Sequence, residues 1–200
     1  IIGSQFSPVK SLATLPMALS IVGIAIFAIF AAKVMSIIGR RAGFIFASII
    51  SSLSSLLAAY SIIIESFILF NFACFLLGAG VAFSHQYRFA AVETVKKDMA
   101  PKAISIILLA GIGSAFIGPN VANITKDIIA EHLYAGSYIA LAALTLTSII
   151  FLLFYKDGHK PNRINKKTSR SYLELISQPR FLQALVASAF AYAVMSFLMT

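Results

Sequence analysis

The chain has 200 residues, 60% of them hydrophobic and 12% charged, with a formal net charge of +9 and a mean hydropathy of +0.92. A water-soluble fold of this size cannot hide so much apolar surface, so soluble enzymes and soluble binding domains are excluded and an all-α membrane protein is the economical reading. The basic excess is spread over the loops between apolar runs, which suits anionic lipid headgroups and argues against a nucleic-acid partner.

Six apolar runs follow in chain order, at about 12–38, 42–64, 67–95, 103–124, 134–154 and 181–200. Each reaches about the 20 residues that cross a bilayer core, the last without a polar close, so five complete spans and one partial span are expected. The apolar character from Ala42 to Phe83 is interrupted only by Glu65 and Ser66, and the chain must turn tightly there. The stretch 155–180 is the long polar segment and reads as a flexible basic linker. The expected organisation is therefore a membrane bundle over 1–154, a cytoplasmic linker over 155–180, and the start of a second bundle over 181–200. The chain opens on Ile1 and closes inside an apolar run, and is expected to be a fragment of a longer protein.

Lys and Arg accumulate on the cytoplasmic side of membrane proteins. Fourteen basic residues fall on one side of the alternating runs, against Lys10 and Lys126 on the other. The turns after the first, third and fifth runs are thereby expected to face the cytoplasm. The single cysteine, Cys74, lies inside an apolar run and reads as helix packing. No paired-aspartate, His-Glu-x-x-His, phosphate-loop or haem-type Cys pattern is present in the sequence, so no catalytic residue, metal or cofactor is expected. Ser84 beside His85 is no nucleophilic pair, because adjacent helical residues point about 100° apart.

Two motifs carry a family resemblance. After the first run, Gly39-Arg40-Arg41 matches the last three positions of a Gly-x-x-x-Asp-Arg-x-Gly-Arg-Arg signature, while Ala32, Ser36 and Ile37 depart from it. In the fourth run, Gly111-Ile112-Gly113 and Gly118-Pro119 look like the Gly-Pro signature of the fifth helix in drug/proton antiporters. Glycines there would admit a neighbouring helix and the proline would bend its own. With these motifs the sequence resembles the major facilitator superfamily, antiporter-like branch, from about its second to its seventh transmembrane helix. The resemblance implies an alternating-access carrier in a bacterial inner membrane, acting as a monomer. It would move a small organic solute, outward, with protons as coupling ion. Further alternatives are a membrane scaffold or enzyme subunit without transport, and an ATP-driven permease subunit; an attached ATPase would favour the last.

The third run carries a polar cluster, Ser84-His85-Gln86-Tyr87-Arg88, followed by Glu93. An arginine at membrane depth costs about 2.5–3.5 kcal/mol on insertion scales and usually faces an aqueous cavity or a partner. Arg88 is the candidate contact for an anionic group, His85 its proton-titratable neighbour, and Gln86 and Asn120 further candidates on the solute or proton pathway. Equally open is a helix ending near Phe83, which would leave 85–88 as interfacial anchors. The resemblance makes Glu93 the candidate salt-bridge partner of Arg40 or Arg41, and Gly39, Gly113, Gly118 and Pro119 the other candidate gating positions. Ala47, Ser51 and Ser55, with Ser48 and Ser52, form a small-residue stripe that reads as packing.

Overall fold

The computed structural model describes residues 12–155 and 177–199, and among them every regular element is helical. The chain divides into two units, Ile1–Pro161 and Asn162–Thr200. The first unit contains α1 (Leu15–Ile38), α2 (Arg40–Ile63), α3 (Phe67–Ser84), α4 (Tyr87–Thr94), a single 3-10 turn (Lys97–Met99), α5 (Ala100–Thr125) and α6 (Ala135–Phe154). Of the second unit, one helix is described, α7 (Pro179–Met199). Five helical segments in the first unit are long and apolar enough to cross a membrane, α3 and α4 together counting as one. The outward faces carry large apolar side chains such as Ile29, Phe116 and Phe154, at 72%, 71% and 82% exposure. Such faces are at home against lipid, and the protein is a multi-pass integral membrane protein.

Local sequence explains where the helices begin and end. Gly39 separates α1 from α2 at φ 88° and ψ 165°, a region open in practice to glycine alone. Arg40 and Arg41, expected in the turn, instead form the first turn of α2. Gly39→Ala is expected to cost about 1–3 kcal/mol, read as a lower unfolding temperature of the purified protein in detergent. The tight turn expected at Glu65 and Ser66 is present. Glu65 takes the left-handed conformation at φ 54°, and the Ser66 Oγ accepts the Leu69 backbone N–H at 3.4 Å as the N-cap of α3. The third apolar run is one segment with a break, where α3 stops at Ser84, His85 and Gln86 form a turn, and α4 resumes at Tyr87.

Three helix pairs make the core. Packing is densest between α1 and α3, followed by α2 with α6 and α2 with α3. At the α1–α3 crossing, Gly23 and Gly78 let two backbones touch: a Cβ on Gly23 would run into the Phe75 carbonyl, and one on Gly78 into the Ser20 carbonyl. The α2–α6 seam uses the serine stripe. Ser48 meets Ser148 at 2.9 Å, Ser52 donates to the Ala142 carbonyl at 3.3 Å, and Ser55 is fully buried. A Ser48→Ala, Ser148→Ala double-mutant cycle is expected to return a coupling of about 0.6 kcal/mol, typical of polar contacts between membrane helices. Helix α5 differs from the other helices of the first unit in that none of its residues is buried. It is tied to α6 at their joined ends, where Ser137 Oγ donates to the Ala122 carbonyl at 2.7 Å.

Candidate functional site: a basic clasp and a hydroxyl-lined cleft

The alternation of the helices brings the end of α1, the start of α2, the whole of α4 and the end of α6 to one end of the first unit. Arg40 projects from the first turn of α2 and grips both oxygens of Glu93 with one edge of its guanidinium, Nη2 to Oε1 at 2.7 Å and Nε to Oε2 at 3.1 Å. Its remaining nitrogen, Nη1, donates to Gln86 Oε1 at 3.3 Å and to Met35 Sδ at 3.7 Å. Gln86 and Glu93 are seven residues apart, two helical turns, and so reach the same guanidinium despite the break beside Gln86. Two parallel bonds fix the angle as well as the distance of the pair, which a lysine could not do. Phe44, one turn further along α2, stacks on Tyr87 with centroids 4.1 Å apart and planes 14° apart. Arg41 Nη2 donates to the Leu153 carbonyl at 2.6 Å, where it satisfies one of the open carbonyls at the end of α6. All of these contacts lie inside the first unit, so the clasp braces α4 against α2.

Behind the clasp a cleft runs between α2, α3 and α6. Its inner chamber, about 250 Å³, is lined by Ser48, Tyr87, Ser148 and neighbours. The outer chamber, about 540 Å³, has α1 as a further wall and includes Ser20, Phe70, Cys74 and Tyr138. Ser51, Gly80, Ser84 and Thr145 line both and mark where the two meet. Gly80 lets α3 lie directly against the Ser51 side chain there, since a Cβ would overlap the Ser51 Oγ. Apolar walls with a few placed hydroxyls are the usual make-up of a small-molecule site.

The candidates named from sequence fall in different places. Gln86 and Glu93 are drawn together on Arg40. His85 is half-buried at the helix break, and Arg88 is exposed on α4; neither lines the cleft. Asn120 lies on α5 and donates from Nδ2 to the Phe116 carbonyl at 2.7 Å. Gly111, Gly113 and Gly118 have open space where a Cβ would stand, so the described residues place no helix against that motif, and α5 continues through Pro119. The residues that sequence reasoning did not single out are Ser20, Gly80 and Thr145, and Ser51 had been read as packing alone. A polar residue every turn or so on each of three apolar helices was the available signal, but it does not say which faces converge.

A family model describing the Major Facilitator Superfamily matches residues 1–200. The chain belongs to the major facilitator superfamily. The relatives it matches are transporters rather than enzymes. The riboflavin transporter RfnT of Brucella anthropi is 32% identical over 203 residues, covering 100% of this chain and 51% of that protein. Two uncharacterised MFS-type transporters of Bacillus subtilis are also similar. YddS is 29% identical over 151 residues, 74% of this chain and 35% of its own length, and YdeG is 27% identical over 162 residues, 78% and 38%. The chain thus spans about half the length of RfnT and less of the other two. No solved structure gives a significant match.

Proposed function

We infer that the complete protein is a secondary carrier that moves a small organic solute across a bacterial inner membrane by alternating access, as a monomer. What carries the reading is the family match over the whole chain together with a walled, partly polar cleft inside the first bundle. RfnT directs the choice of solute to a flavin or a molecule of similar size and polarity. Protons are the coupling ion in this reading, supported by His85 at the break between α3 and α4. The Gly118-Pro119 sequence, with its resemblance to antiporters, supports outward movement. Arg40, Glu93 and Gln86 form the conformational clasp, with Gly39 setting the angle at which α2 leaves α1. Conformational change in such carriers is a rocking of bundles about a central site, and α4 is the element whose docking the clasp controls.

The deciding experiment is flux of riboflavin and other neutral organic compounds into inverted vesicles that hold the complete protein, under an imposed proton gradient. Gradient-driven accumulation in the vesicles is the expected result. Accumulation in right-side-out vesicles instead would reverse the direction, and flux indifferent to the proton gradient would remove proton coupling. No flux of any compound in either orientation would remove the carrier reading itself.

A further inference from the structure

The hydrogen-bonding state of the cleft narrows the class of solute, on the footing of the carrier reading above. Each hydroxyl has one proton to give. At four of the hydroxyls that line the cleft, those protons are turned back onto helix carbonyls. Ser84 Oγ donates to the carbonyls of Gly80 and Val81 at 2.9 and 3.1 Å, Thr145 Oγ1 to Ala142 at 2.9 Å, Ser20 Oγ to Met17 at 2.8 Å, and Ser148 Oγ to Thr145 at 2.6 Å. With the Ser148 proton spent, the 2.9 Å contact between Ser48 and Ser148 has Ser48 as donor. What Ser20, Ser84, Thr145 and Ser148 retain for a guest are oxygen lone pairs, while Ser51 and Tyr87, whose hydroxyls are bonded to no group among the described residues, each keep one proton to give.

The charge pattern is equally one-sided. No Asp, Glu, Lys, Arg or His lines either chamber among the described residues. Arg88, four residues beyond Ser84, is exposed and lines neither chamber, and Arg40, on the helix that carries Ser51, has its guanidinium engaged by Glu93, Gln86 and Met35. An anion placed between Ser84 and Thr145 would face lone pairs and apolar walls, with the single Ser51 hydroxyl and no cation to replace its hydration. A neutral molecule bearing O–H or N–H groups would find acceptors at the passage and, in Phe70, Leu77 and Leu141, an apolar wall for its body.

We propose that the cleft between α2, α3 and α6 is a charge-free, acceptor-rich subsite that takes uncharged, hydrogen-bonding solutes and rejects their phosphorylated or carboxylated counterparts. Ser84 and Thr145 are the accepting groups, and Gly80 with Ser51 sets the width of the passage. Arg88, the sequence-based candidate for an anionic partner, stands outside this subsite, which removes the reason to expect an anionic solute there.

The test uses the complete protein in proteoliposomes and solute pairs that differ by one charged group: riboflavin and its 5′-phosphate, uridine and its 5′-monophosphate, nicotinamide and nicotinate. For whichever pair is moved, the neutral member is expected to be preferred in kcat/KM by on the order of 100-fold. Ser84→Ala and Thr145→Val should each raise KM for the neutral member by about threefold to tenfold with kcat little changed, and Ser84→Thr and Thr145→Ser should recover it. Gly80→Ala, whose added methyl meets a rotatable side chain, should fold normally yet lose the bulkier solutes first. Equal transport of the charged members, or KM values unmoved in both hydroxyl-deleted variants, would overturn the subsite while leaving the carrier reading standing. Absence of any flux would instead strike the carrier reading, and the subsite with it.

Discussion

Gly78→Val is expected to destabilise the protein by about 2–3 kcal/mol, or to prevent its accumulation in the membrane. Helices α1 and α3 are the most closely packed pair in the first bundle, and they touch backbone to backbone at Gly23 and Gly78. A Cβ on Gly78 would strike the Ser20 carbonyl and stand 2.8 Å from the Ile24 backbone nitrogen. Neither atom can swing aside as a side chain would, so the whole helix must move. In a bilayer there is little hydrophobic drive to pull the helices back together, because lipid is as apolar as the helix face just lost. Gly23→Val should behave alike, its Cβ meeting the Phe75 carbonyl. Thermal unfolding in detergent measures the loss, and an unfolding temperature within a degree of the parent's would contradict the crossing described here. Gly80→Ala is the internal comparison. Its Cβ meets the Ser51 side chain, which can rotate, so its stability should change by less than about 1 kcal/mol.

Arg40→Ala is expected to lower transport about tenfold while changing stability by less than about 1 kcal/mol. The Arg40 and Glu93 side chains are 21% and 42% exposed, and a partly solvated pair contributes little to folding. Its value lies in geometry, since the bidentate grip and the Gln86 contact orient α4 on α2 across the break after Ser84. A tenfold loss corresponds to about 1.4 kcal/mol, the size of a typical coupling energy between two conformational states. Glu93→Gln keeps one acceptor and should lose less. The exchange Arg40→Glu with Glu93→Arg should recover part of the activity, which neither single reversal would. Initial rates in vesicles, normalised to protein inserted, provide the reading. A double exchange no better than the single reversals would show that the pair acts through something other than its mutual contact.

Fold class, number of spans and the basic loops were legible in the sequence for one physical reason. A bilayer imposes length and apolarity on every spanning segment and leaves charge only between them, so both signals are written locally along the chain. The turn at Glu65 and Ser66 and the Gly39 boundary are local in the same sense, depending on a capping hydroxyl and on a backbone angle open to glycine. The family resemblance could be read from Gly39-Arg40-Arg41 because a short turn at a membrane surface leaves few ways to close it. The candidate partnership of Glu93 with an arginine came from the family resemblance, and the alternation of helix directions, which puts the ends of alternate spans on one side, agrees with it.

Tertiary structure decided what depends on which faces meet. It chose Arg40 over Arg41 as the partner of Glu93, directing Arg41 to the Leu153 carbonyl and Gln86 onto Arg40. It also divided the serine stripe between buried packing at Ser52 and Ser55 and the cleft at Ser51. Gly23 and Gly78, 55 positions apart in the chain, became one contact, whereas the conspicuous glycines of α5 have no neighbour among the described residues. Periodicity can say that residues share a face of one helix, but rotation about the helix axis and choice of partner are set by close packing among all the helices at once.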